Sequence, residues 1–155
     1  MNAIGGHELP NKGKTDIWLT PLEIILALGP FDLDPCAQPG HLTAKNMYSS
    51  DGLQRKWAGR VWLNPPYSCV GEWLEKLAIH GSGVALVFAR TETKWAQKAL
   101  GVARSVFFPA GRIRFLDQEF KTHGNAGAPS MFLSFGETPK WRVLGSGVAM
   151  SVLGS

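Results

Sequence analysis

The chain is poor in cysteine, in charge and in long apolar runs, and each shortage excludes a class of protein. Its 2 cysteines, Cys36 and Cys69, are too few for a disulfide framework or a zinc-ligand cluster, which fits a reducing cytosol. No apolar run approaches the length of a membrane span and Met1–Pro10 contains no signal-peptide core, so we expect a cytoplasmic protein. The remaining composition, 45% hydrophobic and 18% charged over 155 residues, is typical of one globular domain.

Acidic residues are also scarce relative to basic ones. The chain has 12 Asp and Glu against 16 Lys and Arg, which gives a net charge of +4 and a pI near 9.3. A basic balance mildly favours a nucleic acid over an acidic protein as the partner, although many basic proteins bind no nucleic acid.

The order of predicted elements indicates the α/β class. Residues 1–14 and 146–155 are rich in Gly and polar residues, so we expect a flexible arm and a flexible tail around one domain at 15–145. Strands and helices alternate through the middle, which predicts a mostly parallel sheet, and the last strands should form an antiparallel hairpin at one edge. We predict helices over 22–28, 70–80 and 93–100, a helical turn near 44–48, and strands over 31–34, 60–63, 83–88, 105–108, 112–115, 130–135 and 141–144.

The most informative segment is the turn Asn64-Pro65-Pro66-Tyr67, which directly follows the apolar run Val61–Leu63. The run predicts a buried strand, and the prolines end it because proline has no N–H to donate. In open α/β sheets, ligands bind at the carboxyl ends of the strands. A stiff turn there, with one amide and one ring, suits a flat hydrogen-bonding substrate such as a nucleobase. The alternative is a plain turn with the ring as packing.

The chemistry that fits this turn is methylation of an exocyclic amine. Adenine N6 is a poor nucleophile because its lone pair is delocalised into the ring. The Asn64 side-chain oxygen and the Pro65 carbonyl could each accept one N–H bond and aim the lone pair at a methyl donor, while Tyr67 stacks on the base. A base within a duplex would have to be flipped out to reach the turn. Catalysis would then depend on positioning and electrostatics, and the motif contains no strong general base.

Three further residues could complete a cofactor site at the same edge. Asp34 ends the first strand, where its carboxylate could meet a positively charged cofactor group or cap a turn. Asp51 precedes a glycine and could accept from an adenine amino group or serve the turn itself. Thr20 could donate to a ligand carboxylate, cap the first helix, or do both.

In this order, the segments resemble those of the small phage-type family of DNA N-6-adenine methyltransferases. The resemblance is carried by residues 18–21, 31–37, 51–53, 57, 64–68, 73, 111–115 and 128–130, which span most of the chain. It implies a Rossmann-like class I methyltransferase fold and an adenine-specific DNA methyltransferase. It also implies S-adenosyl-L-methionine as cofactor and double-stranded DNA as partner, with no membrane or metal. The oligomeric state stays open.

The same resemblance implies roles for single residues. Trp18 and Thr20 would line the methionine side of the cofactor. Asp34 with the turn Pro35-Cys36-Ala37 would lie beneath it, and Asp51 would accept from its adenine N6. Asn64, Pro65, Pro66 and Tyr67 would be the catalytic residues. The usual Gly-x-Gly turn after the first strand is missing, and residues 36–51 are too few for a helix plus a strand. The ribose ligand is therefore undefined, with Asp32 as one candidate.

The candidate DNA contacts are basic or polar residues near the same edge. Arg90 follows a buried strand, and Lys94 lies on the next helix. Arg112 and Arg114 alternate with apolar residues, so they share one face, which suits contact with phosphate or guanine or is simply solvated. His123 lies in a polar loop, which we favour as a plain surface loop over a base contact.

Two other functions stay open. Asn-Pro-Pro-Tyr also occurs in enzymes that methylate RNA or a protein glutamine, so a methyltransferase with one of those substrates is the second hypothesis. A non-catalytic DNA-binding relative is the third, and the missing Gly-x-Gly turn favours it. The intact turn at 64–67 argues against that third hypothesis.

Overall fold

The computed structural model describes residues 18–122 and 127–152, which form one β-sheet with helices on both faces. Helices α1, α2 and α3 span Leu22–Leu28, Val70–His80 and Lys94–Leu100. Strands β1 to β7 span Leu33–Asp34, Asn46–Met47, Val61–Leu63, Gly83–Phe88, Ser105–Pro109, Ser130–Phe135 and Gly147–Ser151. Short 3-10 helices cover Tyr67–Cys69 and Trp141–Leu144. The predicted α/β class is confirmed.

The sheet is mixed rather than mostly parallel as predicted, and it has the strand order β2-β1-β3-β4-β6-β5-β7. The pairs β1–β2, β1–β3 and β3–β4 are parallel. Strand β6 is antiparallel to both β4 and β5, and β7 is antiparallel to β5. Strands β1 to β5 therefore run in one direction, and their carboxyl ends meet at a single edge of the sheet.

The central strands are buried on both faces because their side chains alternate between two apolar clusters. In β3, Val61 and Leu63 belong to a cluster with the apolar residues of α2 and α3. Trp62, between them, packs on the opposite face in a cluster that includes Ile25 and Leu28 of α1. This double burial is the reason that β3 reads as a continuous apolar run rather than as an alternating one.

The predicted C-terminal edge hairpin is wrong. Strand β6 lies inside the sheet, and β7 pairs with β5 at the edge, so β6 and β7 do not pair with each other. Residues 141–144, predicted as a strand, form the 3-10 helix on the path between them. Its Trp141 is buried, and the ring stacks on Phe107 with 5.8 Å between centroids. Burial of this indole against the sheet outweighs the local strand preference.

Three local predictions also differ from the structure. Residues 112–115 are not a strand, and the backbone pairing next to them is limited to two isolated bridges, from Leu116 to Leu19 and to Thr122. Residues 44–48 contain β2 instead of a helical turn. Gly147–Ser151, expected in the flexible tail, pair with β5 along their whole length. The expected arm at 1–14 lies outside the described residues. No helix in the described ranges is long and apolar enough to cross a membrane.

Candidate active site

One cavity of ≈ 210 Å³ opens at the carboxyl ends of β1, β3 and β4. All ten residues predicted for the catalytic turn and the cofactor line it: Trp18, Thr20, Asp34, Pro35, Cys36, Asp51, Asn64, Pro65, Pro66 and Tyr67. The parallel pairing of β1 with β3 brings the turn after Asp34 next to the turn that begins at Asn64. The structure therefore joins the two sets of candidates in one space.

The side chain of Asn64 is held by the chain segment before α1. Its Nδ2 donates to the carbonyl oxygen of Trp18 at 2.5 Å and lies 3.2 Å from Oγ1 of Thr20. Both N–H groups are thus used, and Oδ1 contacts no hydrogen-bond donor among the described residues. The arrangement presents a free amide oxygen at the cavity wall.

Tyr67 is fixed by the end of β4. Its ring stacks on Phe88 with 4.9 Å between centroids, and its hydroxyl oxygen accepts from Phe88 N at 2.9 Å. Trp18 and Phe115 pack edge-on against Phe88 and also line the cavity. The rings of Trp18, Tyr67, Phe88 and Phe115 thus form one aromatic group in the cavity wall, which suits a planar ligand such as a base.

Asp34 organises the turn that follows β1. Its Oδ1 accepts from Cys36 N at 3.1 Å, and its Oδ2 accepts from the hydroxyl of Thr43. Burial raises its pKa from the ordinary 3.8 to about 6, against the opposing effect of these two hydrogen bonds. Asp34 therefore lines the cavity and also stabilises the turn after β1, which forms part of the cavity wall.

The thiol of Cys36 links the two turns. Its Sγ donates to the carbonyl oxygen of Asn64 at 3.2 Å. Burial, and then the neighbouring Asp34, raise the pKa of this thiol well above its ordinary range, so it stays protonated. Cys36 is thereby a structural donor toward the turn at 64–67 as well as a lining residue.

The turn that carries Asp51 is packed tightly against the turn after β1. The Asp51 side chain is exposed and its backbone has φ 56°, a left-handed conformation that asparagine and aspartate tolerate best. A Cβ added to Gly52 would lie 1.8 Å from the Pro35 carbonyl oxygen, so only glycine fits there. Trp57 Nε1 donates to the Gly52 carbonyl at 2.8 Å and fixes the turn from below.

Two cavity residues were missed by sequence reasoning. His41 is 4% exposed and its Nε2 lies 2.9 Å from the carbonyl oxygen of Thr20. Burial lowers its pKa, so the neutral ring donates Nε2–H to that carbonyl. Phe88 is the last residue of β4. It could have been predicted as a cavity residue, because the carboxyl ends of parallel strands lie at the same edge of a sheet. No local signal marks His41.

The structure places two residues, Thr20 and Asp32, differently from the sequence-based expectation. Thr20 is not the cap of α1, because Pro21 occupies that position, and the Thr20 side chain points to Asn64 instead. Asp32 does not line the cavity, since its Oδ2 accepts from Arg60 N at 2.7 Å. The ribose ligand therefore stays unassigned. The described part of the chain contains no group of three or more potential metal ligands.

None of the four described basic candidates lines the cavity. Arg90 is half-buried after β4, and Lys94 is exposed at the start of α3. Arg112 and Arg114 are exposed, with the buried Ile113 between them. Phe115 lines the cavity, so these two arginines are close in sequence to a cavity residue. His123 lies outside the described residues.

Comparison with known proteins gives a consistent match. Residues 8–147 match the model of the family described as DNA N-6-adenine-methyltransferase (Dam). A DNA N-6-adenine-methyltransferase of Escherichia phage T1 is 31% identical over 140 residues, which cover 81% of this chain and 56% of that relative. The chain thus spans a little over half the length of the relative. No solved structure matches the chain.

Proposed function

The chain belongs to the DNA N-6-adenine-methyltransferase (Dam) family, and from that membership we propose that it transfers a methyl group from S-adenosyl-L-methionine to adenine N6 in double-stranded DNA. We also propose that its α/β sheet is a variant of the Rossmann-like class I methyltransferase fold. The observation that carries the proposal is a shared cavity, lined both by the cofactor candidates and by Asn64, whose amide oxygen has no donor among the described residues.

The proposed cofactor end of the cavity offers acceptor oxygens and negative charge. Asp34 and Asp51 are the two carboxylates among the described residues that line it. Asp51 would accept from the adenine amino group of the cofactor, and Asp34 with the turn Pro35-Cys36 would lie beneath its charged centre. When bound, the cofactor supplies a methyl group on a positively charged sulfur. Trp18 would pack against its methionine side.

The chemical role of the catalytic turn follows from its fixed geometry. Asn64 Oδ1 and the Pro65 carbonyl would accept the two N–H groups of adenine N6, which draws the nitrogen toward a tetrahedral form. Its lone pair then points away from the turn, toward the methyl donor. Because Trp18 and Cys36 already hold Asn64, no reorganisation is needed at the moment of transfer.

Access of the base requires that it leave the duplex. An adenine stacked and paired in DNA cannot reach a recessed turn, so we infer that it is flipped into the aromatic end of the cavity and stacked on Tyr67. Arg112, Arg114, Lys94 and Arg90 would contact the DNA around the flipped base. His123 is a further candidate of the same group.

The test is transfer of labelled methyl from S-adenosyl-L-methionine to unmethylated duplex DNA, with RNA and protein assayed in parallel. The proposal expects label in DNA, and little in the other two. Label in RNA or protein alone would contradict DNA as the substrate. If the protein binds DNA but neither binds the cofactor nor transfers a methyl group, the hypothesis of a non-catalytic DNA-binding relative is favoured. The Asn64→Ala variant serves as the control for labelling that does not depend on the turn.

A further inference from the structure

Thr20 is a buried polar residue whose position has no local explanation. Its side chain is 1% exposed, although a threonine that precedes a helix usually caps it and remains near solvent. Helix α1 receives no side-chain cap. The hydroxyl instead lies 3.2 Å from Nδ2 of Asn64, which is 44 positions further along the chain.

This contact, together with a second one to the Trp18 carbonyl oxygen, fixes which way round the Asn64 amide lies. The Trp18 carbonyl can accept but cannot donate, so it attracts the Nδ2 end of the amide. The Thr20 hydroxyl takes the second N–H. Rotation of the amide by half a turn would place Oδ1 against the Trp18 carbonyl oxygen and leave two acceptors facing each other. Oδ1 is thereby kept toward the cavity.

The segment that carries these two acceptors is itself anchored on both sides. Leu19 N and Leu19 O pair with the backbone of Leu116 at 3.0 and 2.8 Å. The buried His41 ring donates to the Thr20 carbonyl at 2.9 Å. Thr20 is therefore held by its own backbone while its side chain holds Asn64. A flexible segment would not fix the amide in this way.

We propose that Thr20 is a positioning residue for Asn64: its hydroxyl, anchored through His41, orients the amide so that Oδ1 accepts from the target amine. This inference rests on the proposed function. It differs from a cofactor role for Thr20, because it assigns the residue to the methyl-transfer step and not to cofactor affinity.

The test compares Thr20→Val, which removes the hydroxyl at nearly constant volume, with Thr20→Ser, which keeps it. Single-turnover transfer to duplex DNA is measured at saturating S-adenosyl-L-methionine, and cofactor affinity is measured by calorimetry. We expect Thr20→Val to slow transfer by about tenfold to hundredfold. Thr20→Ser should stay within about threefold of the wild type, and Thr20→Val should lower the transfer rate by a larger factor than it lowers cofactor affinity.

A double variant separates positioning from a general loss of structure. Added to Asn64→Ala, Thr20→Val should cause no further loss, because the group that it positions is absent. The proposal is overturned if Thr20→Val transfers at the wild-type rate, if both variants are equally slow, or if the loss appears in cofactor affinity alone.

A measurement on the wild-type protein keeps the proposal testable if Thr20→Val fails to fold or if DNA is not the substrate. Asn64→Asp removes one side-chain NH₂ pair from the nitrogen–proton NMR spectrum and thereby assigns it. Both protons of that pair should exchange slowly with solvent. Exchange as fast as that of the exposed Gln54 amide would overturn the proposed orientation whatever the enzyme methylates.

Discussion

At the scale of single residues, Asn64 differs from an ordinary turn asparagine because its neighbours have already used both of its N–H groups. Asparagine at a turn normally bonds to its own backbone, which needs no distant partner. Here the partners are Trp18 and Thr20, which are distant in sequence. The sequence reveals the turn, but the orientation of the amide depends on a contact that only the folded chain supplies.

Asp34 leads to a prediction about pH. Its folded-state pKa of about 6 is above the ordinary 3.8 of the unfolded chain, so the fold favours the protonated form. Stability should therefore rise as pH falls from about 6 toward 4, and the penalty should be constant above that range. Asp34→Asn should lose this gain. The measurement is urea unfolding of both proteins from pH 4 to pH 7.

The comparison with Asp34→Asn is needed because other groups titrate in the same range. The pKa of His41 is lowered by burial, so His41 contributes in the opposite direction: its share of stability is lost as pH falls below its ordinary 6.5. That share is present in both proteins and cancels in the difference. Parallel stability curves for the two proteins would contradict the assigned burial of Asp34.

At the scale of elements, local signals predicted the three helices and the strand over 130–135 well, and the segments after residue 140 poorly. Helix α1 ends before Gly29-Pro30, and α2 ends at Gly81, which has φ 79°. Such signals are readable from neighbouring residues. Residues 141–144 form a 3-10 helix because the ring of Trp141 packs on Phe107 of β5. Strand β7 exists because β5 offers it a partner.

The candidate site was predictable to the extent that strand ends meet at one edge. Asp34 and Asn64 follow strands, so topology alone brings their turns together. His41 and Thr20 meet through a hydrogen bond between two loops, for which no periodicity or motif gives a signal. Sequence reasoning thus names Asn64, Trp18 and Thr20 as candidates, but it gives neither His41 nor the contacts by which these residues hold one another.

The loop that carries Asp51 is held by helix α2, which gives a prediction at this scale. Lys76 Nζ donates to the carbonyl oxygens of Leu53 and Arg55 at 2.8 and 2.6 Å, and lies 5.0 Å from the centroid of the Trp57 ring. Lys76→Met should release the loop and weaken cofactor binding about tenfold. Calorimetry with S-adenosyl-L-methionine measures the change.

The matched control for that variant is Lys98→Met on α3. Lys98 pairs with Glu75 at 3.0 Å, where both side chains are more than half exposed, so its loss should leave cofactor affinity unchanged. Equal cofactor affinities for Lys76→Met and Lys98→Met would contradict a clamping role for Lys76.

At the scale of the whole molecule, the placement of basic residues relative to the cavity predicts the DNA-facing edge. Arg112 and Arg114 lie beside Phe115, which lines the cavity, whereas the exposed Arg104 precedes β5 at the opposite edge of the sheet. Arg112→Gln with Arg114→Gln should weaken DNA binding similarly for all sequences. The slope of log affinity against log salt should fall by about 1 per arginine.

Arg104→Gln is the control for that experiment because it removes one positive charge far from the cavity. Its salt slope should match that of the wild type, measured by fluorescence anisotropy of a labelled duplex between low and moderate salt. A double variant at 112 and 114 that keeps the full slope would place the DNA on another surface, and would not affect the assignment of the cavity itself.

We propose that adenine N6 is methylated in the cavity at the carboxyl edge of the sheet, where Asn64 positions it. The most direct measurement is nucleoside analysis of unmethylated duplex DNA after incubation with S-adenosyl-L-methionine and either the wild type or Asn64→Ala. We predict N6-methyladenine from the wild type and at least about hundredfold less from the variant, with cofactor affinity nearly intact. N6-methyladenine at similar levels from both proteins, or a different methylated nucleoside from the wild type, would contradict the claim.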